Sequence, residues 1–132
     1  MSIPDAVASS LFRAVADQSF NAITVTRAEA GEPPGEIVYV NEAFTEMTGY
    51  EAEEVLGKTP GMLQGPKTDP AVLDRLDRKL QQGALFHGET INYRKDGSEF
   101  TIEWKVMPVE QDGAATYHVA VQRDVTARRE RA

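Results

Sequence analysis

The residue types that carry out most enzymatic chemistry are sparse in this sequence, and their spacing does not fit catalytic patterns. Gly57-Lys58-Thr59 has the form of the end of a phosphate-binding loop, but that loop also needs a glycine five residues before its second glycine, and position 52 is Ala. The two histidines, His87 and His118, lack the Glu-x-x-His or His-x-x-x-His spacing of metal ligands. We therefore expect each to be a partly buried strand residue, with no metal site.

Carboxylates, hydroxyls and thiols give no catalytic constellation either. Glu51, Glu53 and Glu54 lie at a predicted helix start, where the helix dipole stabilises negative side chains, so they need no catalytic explanation. No Gly-x-Ser-x-Gly motif marks a nucleophilic serine. The chain contains no cysteine, which excludes disulfide bonds, thiol nucleophiles and Cys-ligated metal clusters. We expect that the protein is not an enzyme.

The charge balance narrows the range of partners. The 132 residues include 14 Lys and Arg against 21 Asp and Glu, which gives a net charge of -7. Such a chain repels nucleic-acid phosphates and anionic membrane surfaces, so we expect neither as a partner. Its apolar runs are only a few residues long, and residues 1–20 lack the basic head and apolar stretch of a signal peptide. We expect a cytoplasmic protein.

Two primary amides in predicted strands, Asn92 and Gln122, are the polar residues best suited to bind a ligand. A buried amide is costly unless it is paired, so inward-facing amides would present donors and acceptors to the polar edge of a flat heterocycle. Facing outward, they would be ordinary solvated residues. The alternation leaves both options open, but outward amides would let Val119 and Val121 face the core, so composition alone favours the outward orientation.

The elements that would position these amides follow from periodicity, capping residues and breakers. The N-terminal half predicts a helix over 5–17 with the apolar stripe Val7, Leu11, Phe12 and Val15; strands over 22–26 and 37–40; short helices over 41–48 and 51–56; an irregular segment over 58–67; and a helix over 70–82. The C-terminal half predicts strands over 85–94, 99–109 and 116–124, turns at 95–98 and 111–113, and the start of a helix over 125–132.

These elements predict an α+β fold, in which a five-stranded antiparallel sheet carries short helices on one face and is flanked by N- and C-terminal helices. The predicted strand over 99–109 is the middle one of the three C-terminal strands. We expect it to bury its apolar face, formed by Phe100, Ile102, Trp104 and Val106. We expect three regions: an N-terminal helix for capping or dimerisation over 1–20, the core domain over 21–125, and a linker helix that begins at 126–132.

Several segments resemble a PAS sensory domain, along essentially the whole chain. They are residues 37–50 (IVYVNEAFTEMTGY), 54–58 (EVLGK), 93–97 (YRKDG) and 121–126 (VQRDVT). Within this family the chain is similar to the flavin-binding blue-light branch called LOV, because residues 57–69 (GKTPGMLQGPKTD) match the Gly, Leu-Gln-Gly and Thr-Asp elements of that branch's cofactor loop. The resemblance implies a sheet whose inner face and small helices enclose a ligand pocket.

The resemblance also implies roles for individual residues. The photoreactive cysteine of the LOV branch falls on Pro60, so no covalent flavin–thiol adduct can form. The two arginines that hold the flavin phosphate fall on Gly61 and Asp77. The cofactor positions are Thr59, in place of an asparagine; Gln64, beside the ribityl chain; Asn92, at the polar edge of the ring; Ile102, in place of a second amide; and Gln122, beside the ring nitrogen that signals.

These departures from the LOV pattern lower the expected affinity for the implied flavin, FMN or riboflavin, by different amounts. The amide missing at Ile102 removes about 1 to 2 kcal/mol, whereas each missing phosphate pair removes about 1.5 to 3 kcal/mol. Arg75, Arg78 and Lys67 are candidates to replace the lost arginines. Tight binding of FMN is disfavoured, while a smaller flavin, another planar ligand or a pocket without cofactor all stay open.

We expect a sensory input module of signal transduction that binds a flavin without adduct photochemistry. Light would act through electron transfer from Trp104 or a tyrosine, and changed hydrogen bonding at Gln122 would reach the C-terminal tail. The alternative is a PAS interaction module that holds no flavin, or another small ligand. We expect a homodimer formed through the N-terminal helix and the outer sheet face, while the sequence does not identify the downstream effector.

Overall fold

A computed structural model of the protein describes residues 5–28, 35–112 and 115–130; the side chains of 5–9, 110–112 and 115 lie outside that description. Its strands are β1 (Ala22–Ala28), β2 (Glu36–Val40), β3 (Phe86–Tyr93), β4 (Glu99–Asp112) and β5 (Ala115–Asp124). Its helices are α1 (Asp5–Gln18), α2 (Glu42–Thr48), α3 (Ala52–Val55), α4 (Pro70–Gln81) and α5 (Thr126–Glu130), with a 3₁₀ turn, Pro60–Leu63, between α3 and α4. The predicted α+β architecture is confirmed.

The five strands form one antiparallel sheet in the order β2-β1-β5-β4-β3. The last strand, β5, therefore lies at the centre, between β1 and β4. The chain crosses from the β2 edge to the β3 edge through α2, α3, the 3₁₀ turn and α4. This long connection is what places helices against one face of the sheet.

Asn41 shows how a buried amide joins elements when all its groups are paired. Its Oδ1 accepts hydrogen bonds from the backbone N–H groups of Phe44 (3.0 Å), in the first turn of α2, and of Ile23 (2.9 Å) in β1. Its Nδ2 donates to the carbonyl oxygens of Ala16 (2.8 Å) and Asn21 (2.9 Å). One side chain therefore holds α1, β1 and α2 together. The sequence predicted the N-cap of α2, which is one of these contacts.

Helix α4 is fixed above the sheet by the loop that precedes it. Asp69 caps the helix by accepting from the Ala71 N–H (2.9 Å), and its own N–H donates to the Thr90 hydroxyl (2.8 Å) on β3. The Thr68 hydroxyl donates to the Ile91 carbonyl (2.5 Å). Because this loop is fastened to β3, the apolar stripe of α4 packs onto the inner face of the sheet.

The core consists of two clusters beneath the helices. The first comprises Ala22, Ile37, Val40, Phe44, Val55 and Leu63, and the second comprises Phe86, Phe100, Ile102, Trp104 and Val106. The second contains the four β4 residues that the sequence assigned to the buried face, so that prediction is confirmed.

Two local predictions are wrong. The segment 58–67 is not wholly irregular, because it contains the 3₁₀ turn Pro60–Leu63. Gln111 and Asp112 continue β4 instead of forming a turn, because a shift of register between Pro108 and Glu110 lets β4 pair with β5 beyond residue 109. The remaining turn residue, Gly113, lies outside the described residues.

The apolar stripe of α1 covers the domain's own sheet only in part. Ala16 is buried, and the Phe12 ring contacts the Tyr39 ring at 5.8 Å between centroids. Leu11 and Val15 stay 49% and 70% exposed, so part of the stripe faces solvent. The side chain of Val7 lies outside the described residues. Within the parts of the chain that the structure describes, no helix is long and apolar enough to cross a membrane.

Candidate functional site

The inner face of the sheet, the 3₁₀ turn and α4 surround a cavity of about 300 Å³. This volume is at the lower end of the range typical of small-molecule sites. The β5 residues that line it are His118, Ala120 and Gln122, which alternate along the strand and therefore share one face. Trp104 and Val106 of β4 lie opposite Gln122 and Ala120 and line the same cavity.

The orientation of β5 contradicts the preference drawn from composition, since Gln122 points inward and is 6% exposed. Val119 and Val121 point to the outer face instead, where they pair with Val25 and Ile23 of β1. Those two partners are themselves only 9% exposed, so the outer face of this strand pair also shelters apolar side chains. Apolar side chains therefore lie on both faces of β5, although Val121 is 39% exposed, and apolarity alone cannot identify the inner face.

Two buried polar groups at the cavity have no hydrogen-bond partner among the described residues. The Gln122 Nε2 lies 3.4 Å from the Thr24 hydroxyl, a long contact, and its Oε1 has no partner. The Nε2 of His118 likewise has none, and burial lowers the pKa of this ring, which favours its neutral form. An unpaired buried polar group costs about 1 to 3 kcal/mol, so both positions fit a ligand that completes their hydrogen bonds.

Asn92 also faces inward, but the structure does not bring it to the cavity. Its side chain is buried, with Oδ1 unpartnered, yet Asn92 is not one of the residues lining the cavity. It lies opposite Phe100 on β4, whereas Gln122 lies opposite Trp104. Ideal strand geometry thus separates the two amides by about 13 Å along the strands and about 10 Å across two strands.

Ile102 lies between the two amides, Asn92 and Gln122, on the inner face of the sheet. It sits on β4 midway between Phe100 and Trp104, is 2% exposed and belongs to the core. It does not line the cavity. The apolar side chain at this position therefore separates Asn92 from the site around Gln122.

Thr59 and Gln64 lie on the opposite side of the cavity from the sheet, on the predicted cofactor loop. Both line the cavity and are exposed, so they stand at its mouth. The turn between them is held by backbone hydrogen bonds from Met62 N–H to Thr59 O (3.2 Å) and from Gln64 N–H to Gly61 O (3.0 Å). The cavity therefore joins Thr59, Gln64 and Gln122.

The candidate replacements for the phosphate arginines do not reach the cavity. Arg75 donates to the His87 carbonyl oxygen (2.8 Å) and stacks over the Phe86 ring at 4.8 Å. Lys67 forms an ion pair with Glu99 (3.2 Å). Neither these two nor Arg78 line the cavity, and Asp77 is the one charged residue among its described lining residues.

The two histidines have opposite environments. The prediction of a buried strand residue is confirmed for His118 and wrong for His87. His87 is exposed on the outer face, where its Nε2 lies 3.0 Å from Glu103 Oε2; this contact, followed by that of Arg123, lowers the pKa of Glu103. It is exposed because β3 is an edge strand and residue 87 alternates away from the buried Phe86.

His118 is the site residue that sequence reasoning missed. The signal for it was the shared parity of His118 and Gln122. The described residues contain no cluster of side chains able to hold a metal ion.

Comparison with known proteins identifies the family to which this chain belongs. Residues 28–127 match the family described as "PAS domain". A "Blue-light-activated histidine kinase" of Brucella anthropi is 37% identical over 95 residues, which cover 71% of this chain and 19% of that protein. "Phototropin-2" of Oryza sativa is 36% identical over 104 residues, covering 78% and 12%. This chain spans less than a third of the length of these curated relatives.

Solved structures give the finer placement. The LOV domain of a blue-light activated histidine kinase from Erythrobacter litoralis is 34% identical, with a TM-score of 0.69, over 79% of this chain and 96% of that one. An RNA-binding Light-Oxygen-Voltage receptor is 33% identical, with a TM-score of 0.82, over 98% and 36%. The chain belongs to the PAS domain family and, within it, to the LOV branch of sensory input domains.

Proposed function

We propose that this chain is a non-catalytic, cytoplasmic sensory input module whose cavity binds a flavin without covalent attachment. The observation that supports it most directly is the unpaired Oε1 of Gln122, buried beside an otherwise largely apolar cavity wall. A hydrogen-bond donor on a planar heterocycle would complete this group. Because the chain has no cysteine, no thiol adduct can form, and the ligand would be held by shape and hydrogen bonds.

The residues that would hold the flavin lie on two sides of the cavity. Gln122 would contact the polar edge of the ring, Trp104 would pack beside it, and Thr59 and Gln64 would contact the polar side chain at the mouth. A bound flavin supplies absorption of blue light and the capacity to accept electrons. Trp104 would donate one electron to the light-excited flavin, and an external reductant would return the oxidised indole to tryptophan. The Gln122 amide would reorganise its hydrogen bonds in response. Asn92 and Ile102 would contact the ligand only if the cavity extended along β4.

A connection from Gln122 to the C-terminal helix supports a role in signalling. Gln122 lies two residues before Asp124, whose Oδ1 accepts from the Thr126 N–H (2.9 Å) at the start of α5. Asp124 also pairs with Arg94 (2.5 Å), and Arg94 donates to the Met47 carbonyl (3.2 Å). We propose that residues 21–125 form the sensing core and that the linker from 126 carries the change at Gln122 outward.

The absorption spectrum of the purified chain tests this function. A yellow protein with a structured band in the blue is expected, and Gln122→Leu should shift that band because it removes a hydrogen bond to the ring. Gln81→Leu, an exposed residue of α4, is the matched control and should leave the band unchanged. A preparation that stays colourless after incubation with flavins would refute flavin binding.

A homodimeric interaction module is the second candidate, and the exposed apolar residues of α1 favour it. Leu11 and Val15 face solvent on α1, and Met107 and Val109 are half exposed on β4. Sedimentation of the full chain should show a dimer, and Leu11→Glu with Val15→Glu should yield the monomer because charge is costly in an apolar interface. Ser10→Glu, exposed on the same helix, is the control. A wild-type monomer at high concentration would exclude this interface.

A further inference from the structure

We propose that the cavity selects an uncharged flavin, riboflavin, over its phosphorylated forms. The proposal rests on the flavin site proposed above and adds the chemical form of the ligand. It is argued from the charges and neutral polar groups that surround the cavity.

The first observation is the sign of the charge at the mouth. Asp77 of α4 lines the cavity and is exposed to solvent, and it is the one charged side chain among the described lining residues. A phosphate monoester carries a charge of about -1.5 to -2 near neutral pH. Because the one charged side chain among the described lining residues is a carboxylate, a phosphate at this mouth would be repelled by it.

The second observation is that no cation is among the described residues lining the cavity and that two candidate cations near it, Arg75 and Lys67, already have partners. Arg75, two residues before Asp77 on α4, donates to the His87 carbonyl oxygen (2.8 Å) and lies over the Phe86 ring. To reach a phosphate at the mouth it would have to abandon both contacts. Lys67 is held by Glu99 at 3.2 Å. The described residues therefore offer a phosphate no charge-assisted hydrogen bond from a cation that lines the cavity, and neither Arg75 nor Lys67 can supply one without breaking an existing contact.

The third observation is that the mouth suits a neutral, hydroxyl-bearing chain. Thr59 offers a hydroxyl and Gln64 an amide, and both are exposed lining groups that can donate and accept. Gly61 between them has no side chain, although a Cβ there would meet nothing closer than the Thr59 hydroxyl at 3.6 Å. A Cβ at position 61 would thus fit in ordinary van der Waals contact, and no cation is among the described residues that line the cavity.

Titration of the ligand-free full chain with riboflavin and with FMN tests the proposal through the quenching of flavin fluorescence. The dissociation constant for FMN should exceed that for riboflavin by at least about tenfold, equivalent to about 1.4 kcal/mol. The difference should shrink near 1 M NaCl, where the Debye length is about 3 Å. The flavin released from protein purified from cells should likewise be mainly riboflavin by chromatography.

Charge reversal at the mouth sharpens the test. Asp77→Arg should tighten FMN binding by at least about tenfold and change riboflavin binding by less than about threefold. Asp74→Arg makes the same change of charge on the exposed surface of α4, outside the cavity lining, and should alter neither constant appreciably. Gly61→Arg provides a second cation at the mouth if Asp77→Arg fails to fold.

The outcomes separate this inference from the function on which it rests. Riboflavin binding with weak FMN binding supports both. FMN binding as tight as riboflavin binding overturns the selectivity and leaves the flavin function in place. Failure of both ligands to bind removes the flavin function and the selectivity together.

Discussion

Gln122 on β5 lies directly opposite Trp104 on β4, and both side chains line the same cavity. The Trp104 ring also packs against the Phe86 ring at 5.0 Å between centroids, and this contact helps to hold it in place. None of the four tyrosines of the chain lines the cavity. Of the electron donors that the sequence suggested, Trp104 is therefore the one the structure places beside the proposed ligand.

Trp104→Phe should slow light-driven reduction of a bound flavin by at least about tenfold, because a phenyl ring is a much poorer electron donor than indole. Flavin affinity should change by less than about threefold, since an aromatic ring still fills the position. The measurement is the loss of blue absorbance under illumination without oxygen, in the presence of an external electron donor that re-reduces the oxidised tryptophan. Tyr50→Phe, a half-buried residue outside the cavity, is the control. An unchanged rate in Trp104→Phe would exclude Trp104 as the donor.

Ile102→Asn should destabilise the domain and leave flavin binding nearly unchanged. The new buried amide lacks partners, so the free energy of unfolding should fall by about 1 to 3 kcal/mol. Because residue 102 does not line the cavity, flavin affinity should change by less than about threefold, and a larger gain would show that the binding site extends along β4. Chemical denaturation and flavin titration measure the two effects. Ile102→Val, which should cost about 0.5 to 1.5 kcal/mol and leave binding unchanged, separates lost packing from the new polar group.

The elements of the fold were largely predictable because their signals are local. Asn41 and Gly49 bound α2 through a side-chain cap and a positive φ of 80°, and both were recognised from residue type alone. The β4 face was clear because its polar and apolar residues alternate without conflict. The predicted end of β4 was wrong because the bulge near Pro108 depends on pairing with β5, which no local pattern shows.

The site was predictable only in part, for a related reason. On β5, Val119 and Val121 face other apolar residues across the outer face of the sheet, so alternation marked the wrong side as buried. The family resemblance corrected Gln122, but His118 was overlooked because a single histidine in a strand has no local meaning. Its importance comes from a cavity formed by segments far apart in sequence.

The buried ring of His118 should make stability depend on pH. Desolvation lowers the pKa of His118 below its ordinary value of 6.5, so the unfolded chain takes up a proton at a higher pH than the folded chain. The free energy of unfolding should therefore be unaffected by this group well above pH 6.5 and should fall as the pH decreases through 6.5. Melting temperatures between pH 7.5 and 5 measure it.

His118→Phe should flatten that pH dependence, because the aromatic ring is kept and the titrating group is removed. His87→Gln, at an exposed histidine, should leave the decline below pH 6.5 in place. Equal slopes in wild type and His118→Phe would show that His118 is not its source.

Gly65→Ala should destabilise the domain, because the added Cβ would overlap the Tyr93 ring. That ring also fixes the loop, since the Tyr93 hydroxyl accepts from the Lys67 N–H (3.0 Å). Overpacking of this kind typically costs about 1 to 3 kcal/mol. Gly61→Ala is a matched control four residues earlier, where the nearest atom would lie at 3.6 Å, and its midpoint of denaturation should stay close to that of wild type. Identical midpoints for both variants would contradict the proposed close approach at Gly65.

Glu89→Gln should loosen the C-terminal helix without unfolding the domain. The Glu89 carboxylate on β3 pairs with Arg129 of α5, which lowers the pKa of Glu89 and ties the five-residue helix to the sheet. A helix this short depends on such contacts, whereas a partly exposed pair adds only about 0 to 1 kcal/mol to global stability. Amide hydrogen exchange should therefore quicken at Arg129 N–H, while the melting temperature changes little. Glu99→Gln, which breaks the exposed pair with Lys67 remote from the tail, should leave exchange in α5 unchanged. If α5 exchanges equally fast in wild type and Glu89→Gln, this ion pair does not hold the helix against the sheet.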